Sequence, residues 1–528
     1  MMKVIEKNRR VIWITVLTVL LFLAASCSCS YLYTLYNSEF EPVNVEIEQK
    51  GKIVTLSAAP FYRIYYTTDG SIPTQQSKRY ILPFSIKKIN VLCQHSDEIS
   101  IGNFQIHDAD VPAANVVRAM AVAPDGTQGE VVTTTCFERT EDIAVVSIIV
   151  DYSDLLDYDA GILVKGRVYD EWIGSGDSSE IVENGEFWSY EGNYKQKGRS
   201  WERQALIEIY DNGDKMQIPA GIRVHGGMSR MFSQRGFNIY FREDYGAKYL
   251  DADIFGNGIT RFESLTLRNG GNAADTVKYK DSWIQRRLEG MDFAVLSSRP
   301  ALVYINGEYW GIYILQEKYS ESYIEEHFGA ENIVMIKENE LEEGDSIALY
   351  EEFLGLRSKD LNDPDIWNSF KETVDIRSMA DYFAAQIYIG NYDLRVDKNI
   401  AMWRSVEKSE GYSDGRWRFM IYDTEYSSSL YNEHTTSAEY DHFGRIKNEF
   451  PIFAKAMEVE EFRNLFDESM REVRLRFSPD EVEESLYETA SEWEKYLSEN
   501  CAKFGGDSDI SQIEPVIEYF RDRYSAAG

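Results

Sequence analysis

Two short stretches near the C-terminal end of the sequence carry side chains that could bind a metal ion. Residues 400–405 and 416–422 are rich in apolar and aromatic side chains, and a polar segment containing Gly411 separates them, which predicts a hairpin. If the strands pair symmetrically about that turn, Asn399 and Asp423 face each other across its open end, within ~5 Å between Cβ atoms. An amide oxygen and a carboxylate so placed can share one Mg²⁺ ion.

Asp393 adds a second carboxylate six residues before Asn399. Phosphoryl transfer uses such a set, with one carboxylate to orient the attacking hydroxyl and an Asn and an Asp to hold metal ions on the phosphates. Protein kinases place their base Asp five residues before the Asn, so the spacing alone matches them poorly. A polar hairpin of any function can also contain these residue types.

Five sequence blocks occur in the order seen in the CotH kinase-like family, and on them the chain resembles that family from about Asp142 to Gly528. The blocks are Gly221–Arg230, Leu267–Asn272, Tyr304–Gly311, Asn391–Arg404 and Trp417–Glu425. The resemblance implies an atypical two-lobed kinase fold and an enzyme that phosphorylates secreted or surface proteins, as in spore coats. It also implies ATP and Mg²⁺ as cofactors.

The family pattern, carried onto this sequence, makes Asp393 the catalytic carboxylate and Asn399 and Asp423 the metal ligands. Glu425 falls where relatives more often have a second Asp, so it is included as a third metal ligand. The sequence departs from the ordinary kinase spacing by one extra residue between Asp393 and Asn399, which puts the alignment of Asp397 and Lys398 in doubt.

Four further residues are candidates for binding the cofactor. Arg223 and Arg235 could contact phosphate, because guanidinium groups match phosphate oxygens in pairs. Glu317 and Lys318 follow an apolar strand in a segment that resembles a kinase hinge, where backbone groups hold adenine. The alternative is that the arginines are structural and that Lys318 is a solvated charge.

The N-terminal residues 1–30 have the pattern of an export signal or membrane anchor: four Lys or Arg, then the charge-free run Val11–Ala25, then small residues before Cys27. Fifteen helical residues span about 22 Å, which is short for a bilayer core of ~30 Å. Cys27 is therefore a candidate lipidation site of a lipoprotein, with an uncleaved anchor or plain secretion as alternatives. We expect an extracytoplasmic protein attached to the membrane at the cell surface.

Residues 42–138 show short runs rich in Val, Ile and Tyr separated by turn residues, which predicts a small all-β sandwich. The segment Tyr65–Thr74 resembles the Ig-like module found at the C-terminus of chitobiases. Such a module could contact cell-wall glycans through exposed aromatic residues such as Tyr62 and Tyr80, or it could be a spacer. Cys93 and Cys136 lie in this region and could pair.

Residues 142–528 continue in mixed helical and strand patterns, so the predicted fold class is α+β. The clearest elements are a buried strand at 144–150, a two-residue hairpin turn at Asn306-Gly307, and a long C-terminal helix that starts at Pro479 with Ser478 and Glu481 as a capping box. These elements must hold the metal-binding hairpin in place.

The formal net charge of −33 excludes nucleic acid as a favoured partner, because nucleic-acid binding depends on clustered Lys and Arg. The prediction is an exported protein kinase with a secreted or surface protein as substrate. A non-catalytic surface scaffold with a kinase-like fold is the alternative. Scarce extracellular ATP favours the scaffold, whereas Asp393, Asn399 and Asp423 together favour catalysis.

Overall fold

A computed structural model of the chain describes residues 39–526 together with positions 16, 18, 19 and 26. Cys27 and most of the predicted export segment lie outside the described residues. None of the helices in the described part of the chain is long and apolar enough to cross a bilayer. Across the chain, 38% helix and 24% strand confirm the predicted α+β class.

The chain forms two compact units. Of the described residues, the first contains 39–87 together with Asn115–Glu138, and the second contains Lys88–Ala114 together with 139–526. Cys93 and Cys136 belong to different units and are not joined by a disulfide.

Two antiparallel sheets build the first unit, one with the strand order β1-β2-β5 and the other β4-β3-β6-β7. The strands are β1 (Glu46–Lys50), β2 (Ile53–Ser57), β3 (Arg63–Thr67), β4 (Lys78–Arg79), β5 (Phe84–Ser85), β6 (Ala114–Val122) and β7 (Val132–Phe137). Alternate side chains of β2 and β3 are buried, as the period of two in a half-buried strand requires. The β-rich character of this region is confirmed.

The expectation that Tyr62 and Tyr80 are exposed is wrong, because both are half-buried. The Tyr62 ring packs edge-on against Phe40 at 5.8 Å between centroids, and the Tyr80 ring packs against Tyr66 at 6.1 Å. These ring contacts belong to the packing of the unit itself.

A closed barrel of seven strands in the order β10-β11-β14-β16-β15-β8-β9 forms one part of the second unit, and a four-stranded sheet, β18-β17-β19-β20, forms another. Strands of this unit are β8 (Ala144–Val150), β9 (Arg203–Asp211), β10 (Asp214–His225), β11 (Gly236–Tyr240), β12 (Leu250–Asp251), β13 (Arg261–Phe262), β14 (Ser264–Arg268), β15 (Ser298–Ile305), β16 (Glu308–Glu317), β17 (Ile333–Lys337), β18 (Glu340–Glu343), β19 (Ala401–Ser405) and β20 (Arg418–Met420).

Fifteen described α-helices belong to the second unit. They are α1 (Val91–Gln94), α2 (Ser96–Ile99), α3 (Tyr152–Leu156), α4 (Gly166–Ser175), α5 (Ser179–Glu183), α6 (Lys280–Arg287), α7 (Glu321–Phe328), α8 (Ala348–Gly355), α9 (Pro364–Thr373), α10 (Ile376–Ile389), α11 (His442–Glu449), α12 (Pro451–Ala456), α13 (Glu460–Arg476), α14 (Pro479–Phe504) and α15 (Glu514–Ala526).

Local sequence signals account for several of these elements. The run Ala144–Val150 is buried at every position, and β8 lies between two barrel strands, parallel to β15 and antiparallel to β9. Asn306 and Gly307 adopt φ of 50° and 84°, the left-handed values that a tight hairpin turn requires. Helix α14 begins at Pro479 as predicted, but the expected capping box does not form, because Ser478 makes no side-chain cap bond.

The barrel and the four-stranded sheet are joined by the segment after β16, which leads through α7 into β17. The end of β14 and the segment after β20 approach each other in the same unit, where Arg268 binds Asp423. The candidate site is built at this meeting point.

Candidate functional site

A buried arginine gathers three carboxylates from two other segments of the chain. Arg268, the last residue of β14, donates from Nη1 to Asp281 Oδ2 at 3.0 Å and from Nη2 to Asp423 Oδ1 at 2.6 Å. The same Nη2 lies 2.9 and 3.0 Å from the two carboxylate oxygens of Glu425. Three carboxyl groups therefore share one buried cation.

The two acids after β20 differ in their affinity for protons. Burial, together with the neighbouring Asp423 carboxylate, raises the pKa of Glu425 well above its usual range despite the Arg268 charge. Burial also opposes ionisation of Asp423, but the Arg268 guanidinium outweighs it and lowers the pKa of Asp423. Asp423 is therefore the member of the pair that stays ionised.

Helix α6 fixes the segment that carries these acids. Asp281 Oδ1 accepts hydrogen bonds from the backbone nitrogen and the hydroxyl of Thr424, both at 2.8 Å. Lys280 donates to the carbonyl oxygens of Ser427 and Ser428 at 2.7 and 3.3 Å, and burial lowers its pKa to about 7. Two buried side chains of the helix, Lys280 and Asp281, thus hold residues 424–428 in position.

Gly271 makes room for Glu425. Its φ is +54°, and a Cβ at this position would lie 1.6 Å from Glu425 Oε1. Only glycine combines this left-handed conformation with so close an approach. Gly271 is therefore required for the packing of Glu425 in the site.

Asp393 and Asn399 are neighbours on the loop that precedes β19. Asn399 Nδ2 lies 3.2 Å from Asp393 Oδ2, and Lys398 Nζ lies 2.7 Å from Asp393 Oδ1. The backbone nitrogen of Tyr392 donates to the carbonyl of Tyr426 at 3.1 Å, so this loop is bonded directly to the segment that follows Glu425.

Arg445 of α11 holds the same loop from its other side. Its guanidinium donates to the carbonyl oxygens of Leu394 at 2.8 Å and Asn391 at 2.7 Å. These bonds fix the backbone on both sides of Asp393, which keeps its carboxylate beside Asn399.

The expected register of the hairpin is wrong by one residue. Ala401 pairs with Met420, so extending this register would set Asn399 opposite Tyr422 instead of Asp423. The ladder ends at Ala401, and Asn399 and Asp423 both leave it with left-handed φ of 57° and 58°. Glu338 links the two sides, since its Oε1 accepts from Tyr422 Oη at 3.1 Å and from the Asn399 nitrogen at 3.4 Å.

The donor groups can be tested against a Mg²⁺ ion. Among the described residues, no three Asp, Glu, His or Cys side chains are arranged to hold a metal by themselves. Asp423, however, is ionised, its side chain is 39% exposed, and only its Oδ1 is bonded to Arg268. Mg²⁺ commonly takes one or two protein oxygens and completes its shell with water and phosphate, so the exposed part of Asp423 could supply one protein ligand. The side-chain amide of Asn399 contacts Asp393, and its role as a second ligand remains a prediction.

Glu425, the third predicted ligand, lies in a different environment. Its side chain is 5% exposed, and both of its oxygens accept from Arg268. The role of Glu425 as a metal ligand remains a prediction. The hydrogen bonds that the structure shows for its carboxylate come from Arg268.

Arg235 and Glu317, two of the predicted cofactor contacts, bond within the fold. Arg235 is fully buried, donates to the Ile99 carbonyl at 2.7 Å and lies 4.6 Å from the Tyr194 ring centre, and burial lowers its pKa to about 10. The Glu317 carboxylate accepts from the Ser297 nitrogen and contacts His327, both at 2.8 Å.

Arg223 and Lys318, the other two predicted contacts, lie close enough for their charges to interact. Burial lowers the pKa of Lys318, with the charges of Lys337 and Arg223 adding to the effect and Glu342 opposing it. The Arg223 guanidinium donates to Tyr240 Oη at 2.6 Å. Several cations are thus close enough to act on one another's charge.

Lys337 is a cation of this group that the sequence did not reveal. It ends β17, its ammonium lies 4.3 Å from the centre of the Tyr422 ring, and its charge helps to lower the pKa of Asp423 after the larger effect of Arg268. Arg268, Asp281 and Lys280 were also missed. The feature that sets α6 apart is the burial of its Lys, Asp, Ser and Gln side chains, and that burial is seen only in the structure.

Comparison with known families gives two matches. Residues 222–526 match the family model described as CotH kinase protein, and residues 54–136 match the model described as Fn3 associated. No curated protein is similar enough to this chain to be matched. The first match covers more than half of the chain and includes the whole of the site described above.

Proposed function

This chain belongs to the CotH kinase protein family, and from that premise we propose that it is an exported ATP-dependent protein kinase that phosphorylates secreted or cell-surface proteins. The proposal includes the atypical two-lobed kinase organisation that the sequence predicted. The observation that carries it is the ionised Asp423, held by Arg268, on a segment that is hydrogen-bonded to the loop of Asp393 and Asn399.

Each residue has a role that follows from its contacts. Asp393 would accept a hydrogen bond from the attacking hydroxyl, with Lys398 and Asn399 fixing its carboxylate. Asp423 and the Asn399 amide oxygen would hold Mg²⁺, while Arg223, Lys318 and Lys337 would contact phosphate. Bound ATP and Mg²⁺ supply the transferable phosphoryl group and the charge that neutralises it.

Arg268 is a positioning residue in this scheme. Its guanidinium turns one oxygen of Asp423 inward and holds that carboxylate ionised, which leaves the exposed part of the side chain for the metal. Asp281 keeps Arg268 in place from the opposite side of the guanidinium.

The non-catalytic scaffold is the second candidate. The observation that favours it is the bonding of Glu425, because both of its oxygens are taken by Arg268 where relatives more often offer a second metal-binding Asp. In a scaffold the same residues would stabilise the fold without binding nucleotide.

Phosphate incorporation distinguishes the two candidates. Full-length protein incubated with radiolabelled ATP and Mg²⁺ is expected to label itself or an added surface protein, and Asp423→Asn is expected to abolish labelling. Asp214→Asn, at an exposed position in β10, is the matched control and should label like the wild type. Equal incorporation by Asp423→Asn and wild type, with both proteins folded by circular dichroism, would leave the scaffold as the function.

Export and membrane attachment form the second part of the proposal, and the support is the N-terminal sequence pattern that ends at Cys27. Metabolic labelling with a radioactive fatty acid is expected to mark the wild type but not Cys27→Ser. Labelling of both would exclude this cysteine as the lipidation site.

For the β-rich unit we propose a spacer role, with a chitobiase-like glycan contact as the alternative. The spacer is favoured because the rings of Tyr62 and Tyr80 are engaged in packing. Retention of the full chain on insoluble cell wall, reduced by Tyr80→Ala, would favour the glycan contact instead.

A further inference from the structure

The first unit differs sharply in charge from the rest of the protein. Its described residues, 39–87 and 115–138, carry eight Asp or Glu and seven Lys or Arg, a net charge of −1, whereas the whole chain has −33. Within it, residues 70–87 contain Lys78, Arg79 and Lys87 and no carboxylate. A basic segment in so acidic a protein needs its own explanation.

These cations lie along one edge of the unit. Lys78 and Arg79 form β4, the edge strand of one sheet, and Lys87 follows β5, the edge strand of the other. All three side chains are exposed, and no carboxylate of the described residues lies within ion-pair distance of them. The opposite edge of the β1-β2-β5 sheet is β1, which carries Glu46 and Glu48.

Large aliphatic side chains stand between the cations. Ile81 and Leu82, in the connection from β4 to β5, are 78% and 73% exposed. We call residues 78–87 the basic edge. Exposed aliphatic side chains flanked by Lys and Arg are the composition of surfaces that lie in a bilayer interface, where the apolar groups enter the acyl boundary and the cations meet anionic headgroups.

From this composition and placement we infer that the basic edge docks on an anionic phospholipid surface. The inference deepens the proposed function and rests on its membrane attachment. The predicted anchor, residues 1–30, ends a few residues before the first unit begins, so a lipid at Cys27 or an uncleaved anchor would hold this unit next to the headgroups. The acidic remainder of the chain cannot supply that attraction.

Contact at this edge would fix the orientation of the first unit relative to the bilayer. Without it, the unit could rotate freely about its N-terminal attachment. Charges more than about 10 Å from the surface are screened at physiological salt, so the −33 of the whole chain does not prevent a local contact. Each Lys or Arg near an anionic bilayer strengthens binding about fivefold, so reversing two cations should weaken the contact at least about 25-fold.

The test uses the full chain reconstituted in phosphatidylcholine vesicles with or without phosphatidylglycerol. A fluorophore is placed at position 82 or, as a control of similar exposure on the opposite edge, at position 48. Nitroxide-labelled lipids are expected to quench the probe at position 82 in the anionic vesicles only, and less at high salt. The probe at position 48 should not be quenched.

Two double variants with the same change in net charge complete the design. Lys78→Glu with Arg79→Glu should abolish quenching at position 82, whereas Lys50→Glu in β1 with Lys447→Glu in α11 of the second unit should not. Equal quenching in the two double variants, or none at position 82 in a chain that pellets with the vesicles, would overturn the inference.

Two further outcomes concern the anchor and the partner of the basic edge. A chain that stays in the supernatant of anionic vesicles would refute the anchor and the lipid contact together, while leaving the kinase assay unaffected. Dimerisation in solution that the Lys78→Glu and Arg79→Glu changes abolish would assign the basic edge to a second copy of the chain, and would also overturn the inference.

Discussion

Removal of the Arg268 guanidinium is the most direct perturbation of the site. In Arg268→Met the side chain keeps similar apolar volume but leaves Asp281, Asp423 and Glu425 without their shared cation. The arginine side chain is only 8% exposed, and those of Asp281 and Glu425 are 3% and 5% exposed, so water cannot replace the lost bonds. Removing one partner of a buried ion pair costs about 3–5 kcal/mol, and we expect a loss of unfolding free energy in that range.

The loss should depend on pH in a defined direction. The pKa of Glu425 is raised in the folded protein, so its contribution to stability is fully present below its unfolded pKa and is lost as the pH rises through the folded value. Without Arg268 this effect grows, and the deficit of Arg268→Met should shrink by about 1–2 kcal/mol from pH 8 to pH 5. Asp423 has a lowered pKa, so its contribution is lost only below its usual value of 3.8, outside this range.

Urea unfolding followed by tryptophan fluorescence measures this loss in the correct unit, because nine of the ten tryptophans lie in the second unit and none in the described part of the first. Arg287→Met is the matched control. This arginine is in α6, is 21% exposed and bonds to the Arg476 carbonyl and to Glu481, so its removal should cost about 1 kcal/mol.

A double variant tests the mechanism separately from the size of the effect. Arg268→Met combined with Asp423→Asn removes the carboxylate that Arg268 keeps ionised, and it should be about 1 kcal/mol more stable than Arg268→Met alone. If Arg268→Met costs no more than Arg287→Met, or if the double variant recovers nothing, the view of Arg268 as the cation that three acids require is refuted.

Three further predictions concern single positions. Gly271→Ala should lower the free energy of unfolding by about 3 kcal/mol, whereas Gly213→Ala in the same unit, also left-handed but with nothing within 4 Å of the added Cβ, should cost only about 1 kcal/mol in urea unfolding. Lys337→Ala should raise the Kd of an ATP analogue with Mg²⁺ about tenfold or more by calorimetry, and the exposed Lys447→Ala should leave it unchanged. Burial lowers the pKa of His442 to about 3, so the wild type should lose stability as the pH falls from 6.5 toward 3, and the Tm of His442→Phe should vary less over that range.

The sequence predicted elements whose signals are local. The turn at Asn306-Gly307 and the start of α14 at Pro479 were predicted correctly, because turn conformation and helix initiation depend on a few adjacent residues. The ordered blocks also predicted the family that the match over residues 222–526 shows. The register of the 401–420 hairpin was wrong, because a loop of irregular conformation shifts the pairing without any marked signal in its composition.

What the sequence alone determined, then, is the α+β class, the β-rich first region, the main strands and helices, and the chain segments on which Asp393, Asn399 and Asp423 lie. Only the tertiary structure decided that Arg268 holds Asp423 from a position 155 residues away, that Lys337 joins the cations, and that Arg235 and Glu317 bond within the fold. The physical reason is that a side chain's partner across such a separation is set by the packing of whole strands and helices, while residue types and spacing record only the local preferences of each segment.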